Sequence, residues 1–283
     1  MSRHALHDQH LHSRYSIDSK ADPAENCRQA IASGLSGLTF TEHYDTHPSE
    51  WKISRWDYDA ISEMVDQLRE QFGDHLRVGL GIEVDYQPEQ IDNILSYLDA
   101  HSFDVVLLSV HWWDGKPKYK PEHWANLDWQ RETEIYFATV LEATKVCLEH
   151  KRVGSRTFDI LSHVDLVKRY SQRYCQEFDI ISYSDILDEI WRTAIAAELV
   201  PEVNTSTMRD SVGEPMPADW AVKRYVELGG KQISFGSDAH QSKHVGSHFS
   251  EVSESAARCG IESQVVFMGR EAIHLELPQL DSN

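Results

Sequence analysis

The stretch from Asp22 to Asp45, DPAENCRQAIASGLSGLTFTEHYD, contains one whole structural unit and the beginning of a site. Asp22 suits the cap of a helix, Pro23 its first turn, Glu25 its positive end and Gly34 its stop, so a helix is expected from Asp22 to Ser33. From Leu35 to Thr41 the pattern changes to a short apolar run, which is how a strand buried on both faces reads. Glu42 and His43 stand at its end, where a polar group is costly unless something meets it.

The same alternation fills the chain. Apolar runs at Val78 to Val84, Phe103 to Val110, Phe158 to Ser162, Val200 to Val203 and Gln232 to Phe235 predict further strands. Segments of helical period lie at Asp57 to Phe72, Pro88 to Ala100, Asp128 to His150, Tyr183 to Ala197 and Ala218 to Leu228. Strand and helix in turn imply a parallel sheet with right-handed crossovers, and six or more such units imply closure. The expected fold is therefore an α/β, TIM-like barrel. No repeat or linker divides the 283 residues, so one domain over 1–283 is expected.

Composition narrows the function. The formal net charge is −19, which argues against a long nucleic-acid partner, since that needs clustered basic residues. No apolar run is long enough for a membrane span, and the first residues do not read as an export signal. Cys27, Cys147, Cys175 and Cys259 are scattered without metal or disulfide spacing, as expected of reduced thiols in a cytoplasm. The 16 histidines outnumber the 14 glycines, and an acidic chain rich in histidine suggests bound cations.

The candidate ligands cluster by position. His10 and His12 end a first strand and, two residues apart, point to one face. His43, Glu83, His111 and His163 end the next four strands, and Asp238 and His240 follow the last. In a barrel those ends form a single face, so the groups should converge. Six histidines with Glu83 and Asp238 exceed what one tetrahedral zinc needs and fit two or three divalent ions, of zinc, iron or manganese. The other ten histidines, among them His7, His47 and His101, are expected on loops or helices, mostly at the solvated surface.

In order along the chain stand H-x-H with Ser13, T-E-H (Thr41 to His43), G-x-E (Gly81 to Glu83), S-x-H (Ser109 to His111), S-H-x-D-L (Ser162 to Leu166) and G-S-D-A-H (Gly236 to His240). This series resembles the polymerase and histidinol phosphatase (PHP) superfamily. Residues His163 to Tyr170, and Glu202 to Ser206 followed by Arg209, look most like its histidinol-phosphate phosphatases. The resemblance implies a distorted (β/α)7 barrel with a trinuclear site: His10, His12, Glu83 and Asp238 on one ion, Asp18, His43 and His240 on a second, Glu83, His111 and His163 on a third. Members with histidine at the position of Asp18 differ from this chain there.

The activity so implied is hydrolysis of L-histidinol phosphate, a step of histidine biosynthesis, by in-line attack of a metal-bridging hydroxide. A nucleotide, an oligonucleotide end or a phosphotyrosyl peptide is the alternative substrate. Arg169 and Arg209, with Lys168, are expected at the phosphate, because a guanidinium fork matches its oxygens. Asp45, Trp112 and Trp113 are candidates for the rest of a small-molecule substrate. His240, Asp238 or a metal-bound water is the candidate proton donor. The sequence sets no oligomeric state.

Overall fold

The computed structural model describes residues 6–52, 54–117, 124, 127–174 and 179–277. Seven parallel strands form its sheet: β1 (His7–Leu11), β2 (Gly37–Tyr44), β3 (Arg77–Asp85), β4 (Val105–Ser109), β7 (Ile160–Leu161), β8 (Val200–Asn204) and β9 (Ser234–Gly236), hydrogen-bonded in that order. The short strands β5 (Trp112–Trp113) and β6 (Lys116–Pro117) pair with each other outside that sheet. Closure comes just past β9, where His12 N–H donates to Ala239 O at 3.0 Å and Asp238 N–H to His10 O at 2.7 Å. The result is the nearly closed, TIM-like α/β barrel that the alternation predicts.

The unit from Asp22 to Asp45 forms as read. Helix α1 runs Pro23–Ala32, with the Asp22 carboxylate accepting from Glu25 N–H at 3.1 Å. Helices α2 (Pro48–Trp51), α3 (Tyr58–Phe72), α4 (Ile91–Ala100), α5 (Trp129–Arg152), α6 (Val167–Tyr174), α7 (Ser184–Ala197), α8 (Asp219–Glu227) and α9 (Phe249–Arg258) follow. Asp57 and Asp128 cap α3 and α5 through their side chains. Among the described residues no helix is long and apolar enough to cross a membrane.

The strand pattern divides two cores. On β3, Val78, Leu80, Ile82 and Val84 face the helices, while Gly79, Gly81 and Glu83 face inward. The glycines are a packing requirement: a Cβ on Gly81 would stand 2.8 Å from both Thr41 and Val105 side chains. Inside the barrel, Val105, Leu107, Ile160 and Val200 pack with Val265 and Phe267. The last two belong to β10 (Ser263–Met268), which with β11 (Glu271–Glu276) forms a hairpin over the N-terminal end. The hairpin, α6 and α9 were not among the predicted elements. His7 also departs from expectation, being 1% exposed in β1. Cys27, Cys147 and Cys259 are free thiols, and Cys175 lies outside the described residues.

Candidate metal centre

The open end of the barrel gathers all nine expected ligands. Glu83, 1% exposed at the end of β3, is the hub. Its Oε2 lies 3.4 Å from both His10 Nε2 and His12 Nε2 and 2.8 Å from His43 Nδ1. Its Oε1 lies 3.2 Å from His111 Nε2 and 3.0 Å from His163 Nε2, and accepts from the Ser109 hydroxyl at 2.7 Å. Asp238 Oδ1 is 3.5 Å from His12 Nε2 and 3.9 Å from His10 Nε2. Asp18 Oδ2 stands 3.0 Å from His240 Nε2 and 3.5 Å from His43 Nε2. Asp18 therefore lies within reach of both His43 and His240.

These groups fit divalent cations. Ligand atoms about 2.0–2.1 Å from a tetrahedral zinc stand about 3.3 Å apart, close to the spacings around Glu83. His10 Nε2, His12 Nε2 and Glu83 Oε2 are buried with no hydrogen-bond partner among the described residues, an arrangement that costs stability unless a cation meets it. Three overlapping sets have ligand atoms close enough for one ion each: His10, His12 and Glu83; His12, His43 and His240; and His43, Glu83 and His111. His43 joins two of them because its ring offers Nε2 to Asp18 and Nδ1 to Glu83.

The charges explain the compactness. Burial alone would raise Glu83, but His10, His43 and His111 hold its carboxyl well below the usual range. Burial likewise opposes the charge on Asp238, and His12, His10 and Arg169 overcome it. Burial pushes the His10 imidazole down, yet Glu202 and Glu83 carry it well above its ordinary value. His43 is raised against burial by Asp18 and Glu83, and His111 by Glu83 and Asp45. His12 goes the other way, to about 3, from burial and then the nearby His43 and His240. Asp85, whose Oδ1 accepts from His111 N–H at 2.7 Å, is pushed up to about 7 by burial, with Asp45 adding to the shift.

Arg169 and Arg209 both reach this end. Arg169 lies in the first turn of α6 rather than in a loop, and its Nη2 donates to Asp238 Oδ2 at 2.9 Å and to the Ser206 hydroxyl. Arg209 Nη1 donates to Ser237 O at 2.8 Å and Ser247 Oγ at 2.9 Å, and Nη2 to Asp238 O at 3.3 Å. Lys168 does not join them. It is 1% exposed, its ammonium tied to Pro215 O at 2.7 Å, Asp165 at 3.0 Å and Glu214 at 3.1 Å, because its place on α6 turns it toward the segment after β8. The expected phosphate role is thus replaced by an internal tie.

Asp45 Oδ1 sits 3.8 Å from His111 Nδ1, at the rim. The Trp112 ring stacks on His47, with centroids 3.7 Å apart. Trp113 packs inward against Tyr136 and donates to Glu132, and it also lines the cleft beside Trp112.

Two further buried carboxylates, Glu42 near the end of β2 and Glu202 within β8, bond to ligand residues or their neighbours. Glu202 Oε1 meets His10 Nδ1 at 2.8 Å, and its Oε2 accepts from His163 N–H at 2.9 Å. Glycine at 236 makes room for it, since a Cβ there would lie 1.9 Å from Glu202 Oε1. Glu42, next to His43 and so turned to the opposite side of the strand, accepts from the Ser13 amide and from the Ser13 and Ser16 hydroxyls. An acid inside an apolar run singles out both residues, by the same signal as Glu83.

A parallel barrel with a buried carboxylate among imidazoles at the C-terminal strand ends defines the class: a barrel whose mouth can hold divalent metal. The PHP domain matches residues 8–206, and the chain belongs to that family. It is 30% identical over 261 residues to a probable histidinol-phosphatase of Clostridium acetobutylicum, covering 90% of this chain and 94% of the relative. A histidinol-phosphatase of Lactococcus lactis is 26% identical, with 83% and 84% covered. A crystal structure of the Lactococcus lactis histidinol phosphate phosphatase, complexed with zinc, L-histidinol and phosphate, superposes with a TM-score of 0.84 at 24% identity, over 95% of this chain and 98% of that one.

Proposed function

We propose that this protein hydrolyses L-histidinol phosphate to L-histidinol and phosphate, as a metal-dependent phosphomonoesterase of histidine biosynthesis. The observation that carries the reading is Glu83, one buried carboxylate facing five imidazoles, beside two arginines at the same barrel mouth. The names of the relatives support the choice of substrate.

We assign two or three ions to the ligands as the family resemblance implies, with His10, His12, Glu83 and Asp238 for one, Asp18, His43 and His240 for a second and Glu83, His111 and His163 for a third, an assignment that regroups the compact sets above. Such ions supply a nucleophile at neutral pH and neutralise the phosphoryl charge. The chain's own residues do the rest. Among the described residues Arg169 directs its hydrogen bonds through Nη2, and we assign the other edge of its fork to a phosphoryl oxygen. Arg209 holds the backbone at Ser237 and Asp238, and thereby the Asp238 carboxylate, in place. Asp238 is an anion at neutral pH, which makes it an acceptor for Arg169 and removes it as a proton donor. Both nitrogens of His240 are engaged, by Asp18 and by Asp238 O, so we assign protonation of the leaving oxygen to solvent.

Beside His111 opens a cleft of about 380 Å³ lined by His47, Gln87, Trp112, Asp114 and Glu142. Its acids suit an amine and its tryptophan face suits an imidazole, so we place the histidinol end there. We place the enzyme in the cytoplasm, where its free thiols stay reduced.

Phosphate release from histidinol phosphate, measured beside a nucleoside monophosphate and a phosphotyrosyl peptide, tests the reading. Turnover of histidinol phosphate that a strong chelator abolishes is expected, together with zinc, iron or manganese in the purified protein. Preference for either other substrate would replace the substrate while keeping the chemistry.

A further inference from the structure

His10 and His12 enter the centre from one strand, yet their outer nitrogens are held in different ways. His10 Nδ1 meets Glu202 Oε1 directly at 2.8 Å. Nδ1 is the nitrogen engaged on the Glu202 side, which leaves Nε2, on the Glu83 side, as the one a metal would take. The neighbour of His12 Nδ1 is not a carboxylate but the Ser16 hydroxyl, at 3.0 Å. That hydroxyl is buried and has two further neighbours: the His43 amide, which donates to it at 3.1 Å, and Glu42 Oε2 at 2.5 Å.

With Glu42 as the acceptor of the Ser13 amide and hydroxyl, counting donors and acceptors leaves one solution. A serine hydroxyl has one hydrogen and two lone pairs. The His43 amide can only donate, so it takes one lone pair. Glu42, which already accepts from the Ser13 amide and hydroxyl, takes the Ser16 hydrogen. The remaining lone pair faces His12, which must donate to it from Nδ1. We infer that Ser16, oriented by Glu42, is a positioning residue that fixes His12 in the Nδ1–H tautomer and turns its Nε2 lone pair to the metal.

The same hydroxyl anchors the backbone of His43, so one side chain ties a ligand of the first set to a ligand of the second. Partners of this kind, one bond removed from the metal, commonly change affinity 10–100-fold when lost. The inference rests on His12 and His43 being metal ligands.

The test is zinc affinity and stoichiometry, from competition with a chelating dye, for the parent protein and for Ser16→Ala, Ser16→Thr and Glu42→Gln. Ser16→Ala and Glu42→Gln are expected to lose about 10–100-fold in affinity for at least one ion. Ser16→Thr keeps the hydroxyl and is expected to bind as the parent does. Long-range proton–nitrogen spectra of the metal-free parent should show His12 protonated at Nδ1. A folded Ser16→Ala protein with parental affinity and stoichiometry overturns the relay, and so does His12 protonated at Nε2 in the parent. If Ser16→Ala does not fold, the parent spectrum decides alone. A parent chain that takes up no zinc overturns the ligand assignment itself, whereas equal binding by parent and variant overturns only the relay.

Discussion

The two ends of the barrel are built from the same strands to opposite rules. At the base, apolar side chains of β4, β7 and β8 close on Val265 and Phe267, and the polar groups find protein partners. The Gln264 side chain accepts from His7 N–H and donates to His7 O, while Gln9 donates to Thr39 and accepts from Phe267 N–H. At the mouth, His10 Nε2, His12 Nε2 and Glu83 Oε2 face one another with no hydrogen-bond partner among the described residues. His7 and His10 show the contrast within one strand. Burial and then Arg77 push His7 down to about 3, and it bonds to Thr39, whereas Glu202 and Glu83 carry His10 upward. A buried histidine is structural where hydroxyls and amides satisfy it, and a candidate ligand where carboxylates surround it.

The sharpest way to break this division is Glu83→Ala. It removes the hub of the mouth and should lower phosphate release by about 10³-fold or more, with far-ultraviolet circular dichroism unchanged. A folded variant with undiminished turnover would end the metal-centre reading. Phe267→Ala strikes the base instead and should cost about 3–5 kcal/mol in urea unfolding. The surviving folded fraction should retain its turnover, so loss of specific activity at full folding would show that the two ends are not separable.

A smaller effect is expected from Arg169→Ala, whose charged hydrogen bonds are worth about 1.5–3 kcal/mol each, or roughly 10–100-fold in kcat/KM. Bound metal per chain, measured alongside, separates loss of the phosphate contact from loss of the Asp238 partner.

The mildest test is pH. Protons on His10, His43 and His111 compete with metal, and all three hold them above their ordinary value. Metal affinity should therefore rise with pH near neutrality, with about two or more protons released on binding. Calorimetry in buffers of different ionisation enthalpy measures that release. In the metal-free protein the signs oppose. The histidines' stabilisation is present below about 6.5 and fades as pH rises through their folded values. That of Glu83 and Asp238 is present above the usual carboxylate range and fades as pH falls through their lowered values. Metal-free stability in urea should therefore decline on both sides of mildly acidic pH.

Much of the mouth is legible in the chain because each strand delivers its ligand just as its apolar run ends. His43 after Thr41 and Glu83 after Ile82 are polar groups where burial forbids them without a partner. The base is not legible in this way. Its hairpin from Ser263 to Glu276 packs against Val105, Ile160 and Val200, all far earlier in the chain, and no local pattern reports such a pairing. Lys168 and Arg169 show the same limit at one step of sequence. Adjacent on α6, one points to Pro215 and the other to Asp238, and only the packed helix decides which.

The sequence by itself determined the alternation of strand and helix, the barrel and the residue types at its mouth, because periodicity and the cost of burying charge are local properties. Which nitrogen of each histidine faces the centre, and which carboxylates bind rather than orient, was decided only in the folded molecule. Glu42, Glu83 and Glu202 all sit at or near strand ends. Their roles differ because Ser16, five imidazoles and His10 respectively come to meet them from elsewhere in the chain.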